Sequence, residues 1–134
     1  MVMKKLFFIL ALVSNIAHAT YEVIGRGQLA VNNSSVPINV RQYKNIFVGI
    51  KYGWIRCIRH CVQPPESTGV VVSYFNAGGT WYPQKGVSAK AGEFITFQPK
   101  GDLIKITAEH GNDWGACGVS CQGSVSYEVM GERK

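Results

Sequence analysis

Residues 46–54 read Ile46-Phe47-Val48-Gly49-Ile50-Lys51-Tyr52-Gly53-Trp54. Ile46, Val48, Ile50, Tyr52 and Trp54 recur at every second position, so an extended chain carries all five on one face. Lys51 and two glycines stand among the residues of the other face. The pattern predicts a half-buried strand, with Tyr52 and Trp54 among its core residues. Near the C-terminus Val125, Tyr127 and Val129 alternate with Ser124, Ser126 and Glu128. This is the cleanest inside/outside pattern in the chain and predicts the strand that closes the fold. Val36, Ile38 and Val40 alternate with Pro37, Asn39 and Arg41, and Pro37, which lacks an N–H, assigns that segment to a sheet edge.

Outward from these anchors, residues 21–31, 70–75, 80–82, 94–98 and 103–108 are further short strand candidates. Turn chemistry bounds them at Asn76-Ala77-Gly78-Gly79, Lys90-Ala91-Gly92-Glu93 and Pro99-Lys100-Gly101-Asp102. No stretch keeps a helical period for three turns. The expected fold is therefore all-β, an antiparallel β-sandwich of jelly-roll or Ig-like type with about eight short strands. Two connections, 63–69 and 109–123, are long for such a domain, and long loops are where recognition is commonly placed. The segment Gly101-Asp102-Leu103-Ile104-Lys105-Ile106, with the closing Gly123-Ser124-Val125-Ser126-Tyr127-Glu128-Val129, is similar to the last two strands of many secreted jelly-roll modules. That resemblance covers a short part of the chain and implies a fold class, with no function attached.

The chain has 134 residues, 46% of them hydrophobic and 16% charged, the balance of one globular domain. Its opening has the form of a secretory signal peptide: Lys4 and Lys5, an apolar centre over 6–13, and the small-x-small site Ala17-His18-Ala19. Residues 1–19 are thus read as a signal and 20–134 as a single secreted β-sandwich domain. Both early lysines leave with the signal and no acid does, so the formal charge of +6 becomes only mildly basic. The remaining cations are spread along the sequence. Nucleic acid is not an expected partner, whereas anionic glycans or an acidic protein surface fit the charge. No later apolar run reaches the roughly 20 residues of a membrane span.

Four cysteines in an exported chain predict two disulfides. Cys57-x3-Cys61 and Cys117-x3-Cys121 have equal spacings, so one antiparallel register would bond Cys57 to Cys121 and Cys61 to Cys117. Two local loops, Cys57 to Cys61 and Cys117 to Cys121, are the competing arrangement and require a tight turn at each site.

Enzymatic signals are thin. Glu109-His110-Gly111-Asn112-Asp113 groups acid, imidazole and acid, and is read as a hydrated loop. His60 is read as a polar surface residue. No nucleophile, metal-ligand or phosphate-loop motif is present, so neither a catalytic residue nor a metal or other cofactor is expected. The aromatics carry more. Adjacent residues in a strand face opposite ways, so Tyr74 and Phe75 cannot both be core, nor can Trp81 and Tyr82. The outward rings, with Asn76, Gln84 and Trp114, form the expected ligand-binding set: Tyr74, Asn76, Trp81, Tyr82, Gln84 and Trp114. The function read from this is a non-catalytic secreted or periplasmic protein that binds a surface glycan or receptor through exposed aromatics and a disulfide-held loop. The rival reading is a periplasmic inhibitor or immunity protein that inserts the 109–121 loop into a secreted enzyme.

Overall fold

A computed structural model describes residues 20–111 and 118–134. The predicted signal segment 1–19 lies outside the described residues. The described chain is all-β, with eleven strands where the sequence pattern predicts about eight: β1 (Tyr21–Ala30), β2 (Ile38–Asn39), β3 (Tyr43–Gly53), β4 (Arg56–Arg59), β5 (Glu66–Thr68), β6 (Val70–Ala77), β7 (Thr80–Ser88), β8 (Phe94–Phe97), β9 (Leu103–Glu109), β10 (Val119–Gln122) and β11 (Ser124–Arg133). They form three antiparallel sheets, ordered β1-β11-β3-β8, β2-β9-β6-β7 and β10-β4-β5. Among the described residues no helix is long and apolar enough to cross a membrane.

The closing strand is the best-read element. Val125, Tyr127 and Val129 are buried as their alternation requires, and β11 lies between β1 and β3, hydrogen-bonded on both edges. Ile46, Val48 and Ile50 of β3 join them in a cluster that also contains Val71 of β6 and Ile104, Ile106 and Ala108 of β9. One buried cluster therefore draws on both four-stranded sheets. β2, directly after Pro37, is an edge strand as the missing N–H dictates.

The reading of Tyr52 and Trp54 as core is corrected. Tyr52 is 72% and Trp54 40% exposed. The cause is a bulge: β11 pairs Tyr127 with Ile50 but Ser126 with Tyr52, leaving Lys51 as an extra residue. An extra residue reverses the parity of the positions after it, so the next buried position is Ile55. Trp54 instead lies between the Arg56 guanidinium and the Lys90 ammonium, 4.9 and 5.0 Å from its ring centre, and its Nε1 donates to Thr68 Oγ1 at 3.2 Å.

The supposed long connections also contain strands. β5 falls within 63–69 and β10 within 109–123, and both pair with β4 in the small sheet. Apolar periodicity misses this sheet because it buries almost no apolar face; of the four residues in β4, Cys57 alone is buried. Its cohesion comes from ladder hydrogen bonds, the Arg56–Glu66 ion pair and disulfide bonding. Cys57 and Cys121 stand directly opposite each other and form a disulfide, with their Cα atoms 4.0 Å apart. This is the crossed pairing, and the local loop Cys57 to Cys61 is excluded. The second predicted bond involves Cys117, which lies outside the described residues. Ile55 ties the small sheet to the rest, its N–H donating to Ala89 O and its carbonyl accepting from Gly69 N–H at 3.0 and 2.8 Å.

Replacing Cys57 and Cys121 together by alanine is expected to lower stability by roughly 2 to 5 kcal/mol, because the bond closes a long loop. Denaturant unfolding of the double variant against the parent measures this. Gly131 of β11 sits against the Tyr43 ring, where an added Cβ would come within 2.5 Å of a ring carbon. Gly131→Ala is expected to cost about 1 to 3 kcal/mol by overpacking, read as a lowered thermal midpoint.

Candidate functional site

Three of the expected binding residues lie on one face of the β2-β9-β6-β7 sheet. The hairpin of β6 and β7 turns through Gly78 and Gly79, both at positive φ (61° and 87°), a conformation that suits two-residue hairpins and that glycine adopts at little cost. The Gly79 N–H donates to Asn76 Oδ1 at 3.2 Å, so the first residue of the turn motif fixes the turn. The register then opposes Asn76 to Trp81, and Lys105 of β9 to Tyr74. Tyr74, Asn76, Trp81 and Lys105 consequently share one face, opposite to the buried Ile104 and Ile106.

Lys105 organises this face. Its ammonium lies 4.8 Å from the centre of the Trp81 ring and 5.9 Å from that of Tyr74, within cation–π range of both. Among the described residues no carboxylate forms an ion pair with it. The Tyr74 hydroxyl donates a short hydrogen bond to the Glu109 carboxylate. Burial, then that hydrogen bond and the nearby negative charge, push the Tyr74 phenol up to about 12. Glu109, read from the sequence as part of a hydrated run, is thus half-buried and holds an aromatic ring in place. Asn76 uses its Oδ1 in the turn, and its Nδ2 has no protein partner among the described residues. The face offers two rings, an amide donor and a cation.

Tyr82 and Gln84 are placed elsewhere. Tyr82 is opposite Phe75 on the other face, with ring centres 5.7 Å apart, and is 46% exposed at the sheet margin. Gln84 is the extra residue of a bulge, since Ser73 pairs with Lys85 while Tyr74 pairs with Pro83. Its side chain is committed at both ends: Nε2 donates to Gln98 O at 2.6 Å, and Oε1 accepts from Lys100 N–H at 3.3 Å. Trp114 lies outside the described residues, as do Asn112 and Asp113. Lys105 was missed by sequence reasoning although a signal exists: in Leu103-Ile104-Lys105-Ile106-Thr107-Ala108-Glu109 the outward positions include lysine, threonine and glutamate.

Elsewhere, His60 Nε2 and Ser120 Oγ are 2.9 Å apart on neighbouring strands of the small sheet. Among the described residues no carboxylate hydrogen-bonds that histidine, and no cluster of three His, Cys, Asp or Glu side chains is placed to hold a metal ion. Comparison with known proteins returns no matching family model, no matching curated protein and no matching solved structure.

The Tyr74 titration gives a test of this geometry. A raised phenol pKa means that the protonated form is favoured in the folded state, so its contribution to stability is complete below pH 10 and is lost as pH rises through about 12. Glu109→Gln removes the charge that opposes phenolate formation and should bring the midpoint down, though not to the unperturbed value, since burial is the largest cause. Near-ultraviolet titration of the parent, of Glu109→Gln and of Tyr74→Phe measures the shift.

Proposed function

We propose that this is a non-catalytic protein of the periplasm or the extracellular space that binds a surface glycan on the face carrying Tyr74, Asn76 and Trp81. The observation that carries the reading is the grouping of these three residues on one side of a hydrogen-bonded sheet, with the Lys105 ammonium over both rings. Sugar rings present C–H groups on their faces and hydroxyls on their rims. Two aromatic rings held by strands offer the first a stacking surface, and the free Asn76 amide donates to the second. Lys105 would favour a sugar bearing a carboxylate or another acidic group. Tyr82 belongs to the same hairpin but to its other face, so it is left out of the platform.

The remaining parts of the reading agree with an exported protein. Residues 1–19 act as a signal peptide and the mature chain begins at Thr20. The Cys57–Cys121 bond is compatible with an oxidising compartment. The β4–β10 register continues through the His60 N–H, which donates to Gly118 O at 3.1 Å. The equal spacing of the two cysteine pairs makes Cys61 and Cys117 the second disulfide of this reading. Among the described residues no cysteine is free. The two four-stranded sheets form a β-sandwich around the shared core.

Trp81→Ala is the direct test. Screened on an array of neutral and acidic oligosaccharides, the parent should bind and the variant should bind more weakly by at least about 1 to 2 kcal/mol, the scale of a modest hot spot. The thermal midpoint should scarcely move, because Trp81 is half-exposed on an edge strand. Tyr82→Ala should leave binding unchanged. Equal loss in both variants, or none in Trp81→Ala, overturns the platform, and a parent that binds no glycan overturns the ligand class.

A further inference from the structure

The basic residues that lie far apart in sequence are not evenly spread in space. Arg41, Lys44, Lys100 and Lys134 line one concavity of about 380 Å³ at the end of the two large sheets, and Asp102 is the single acid in its wall. Lys44 is 3.9 Å from Glu132, a long contact. Among the described residues Arg41, Lys100 and Lys134 form no ion pair at all. Four cations around one acid repel one another more than they are neutralised, which leaves this concavity with a standing preference for an anion.

The walls are built, not merely adjacent. Val40 N–H donates to Asp102 O at 2.7 Å, joining the 40–44 turn to the 98–102 turn, and Val40 and Tyr43 beneath them are buried. Gly101 lies so close to the backbone of Asn76 that an added Cβ would be 2.6 Å from its carbonyl oxygen. Gln84 clasps the same turn from the other side through Gln98 O and Lys100 N–H. Gln84, which strand alternation places on the face opposite Trp81, thus holds the loop that presents Lys100.

We infer that this concavity binds a tetrahedral oxyanion, the sulfate or phosphate ester of an acidic saccharide, with Arg41 and Lys100 as its main contacts and Gln84 as a positioning residue. A guanidinium donates two parallel hydrogen bonds to such a group, and lysine ammoniums add point charges around it. The volume admits the ester group together with part of the ring that bears it. The assignment uses none of the residues of the aromatic face, so each site can fail without the other.

The probe is a heparin-derived oligosaccharide, titrated calorimetrically at low salt with inorganic phosphate as competitor. Arg41→Ala with Lys100→Ala should weaken binding by about tenfold or more, since two charge-assisted contacts are lost. Lys51→Ala with Lys90→Ala removes the same net charge from another part of the surface and should change affinity by less than about twofold. Gln84→Ala alters no charge and should still weaken binding several-fold, with the first double variant carrying the test if Gln84→Ala lowers the thermal midpoint. Equal losses in the two double variants would show that affinity follows net charge, and would overturn the site. A parent that does not bind the oligosaccharide, or that binds phosphatidylglycerol vesicles and not the oligosaccharide, overturns it as well.

Discussion

The burial of alternate side chains along β11 is the constraint on which the rest of the structure depends. This strand is hydrogen-bonded on both edges, so its register sets those of β1 and β3 together. Val125, Tyr127 and Val129 point into the core, and a slip of one residue would turn all three to solvent. Outward, Glu128 lies between Arg26 at 3.1 Å and Lys51 at 3.8 Å, one from each neighbouring strand. Such exposed pairs add little stability, but they match the register that the apolar face selects.

Bulges then decide which aromatic side chains reach solvent. One between Ile50 and Tyr52 reverses parity and releases Tyr52 and Trp54 from the core. Another at Gln84 separates the outer half of the β6–β7 hairpin from its inner half, at the point where the Gln84 amide reaches the 98–102 turn. Each is a local insertion in a ladder that is otherwise regular, and each changes the surface without disturbing the buried cluster. The proposed glycan platform and the proposed oxyanion site are thus linked by the same hairpin, one on its face and the other beside its bulge.

Charge follows a similar logic. A mildly basic chain with its cations dispersed in sequence folds so that several meet at one end, where the 40–44 turn, the 98–102 turn and the last residue converge. Several acids of the described residues are paired elsewhere. Glu22 holds Arg133 at 2.7 Å and accepts from the Tyr43 hydroxyl at 3.0 Å, and Glu66 holds Arg56 at 2.8 Å. With Asp102 as the single acidic side chain in the wall, the cations of the concavity are left largely unmatched.

The sequence by itself determined the all-β class, the course of β3 and β11 through their buried alternation and the edge position after Pro37. These are local properties, set by period two and by turn residues. Equal cysteine spacing allowed the bond from Cys57 to Cys121 beside two local loops, and the structure chose between them. The sequence also determined that one ring of each adjacent aromatic pair must leave the core, and so brought Tyr74, Asn76 and Trp81 into view. Which rings those are, and that Lys105 lies over them, depended on the pairing of β6 with β7 and β9. Tertiary structure alone decided the small β10-β4-β5 sheet, whose strands bury too little apolar surface to mark the sequence. It alone decided the fates of Tyr52 and Trp54, because a bulge is a property of two paired strands and neither strand records it. The gathering of Arg41, Lys44, Lys100 and Lys134 was likewise decided only in three dimensions, since electrostatic potential depends on distance through space while sequence reports distance along the chain.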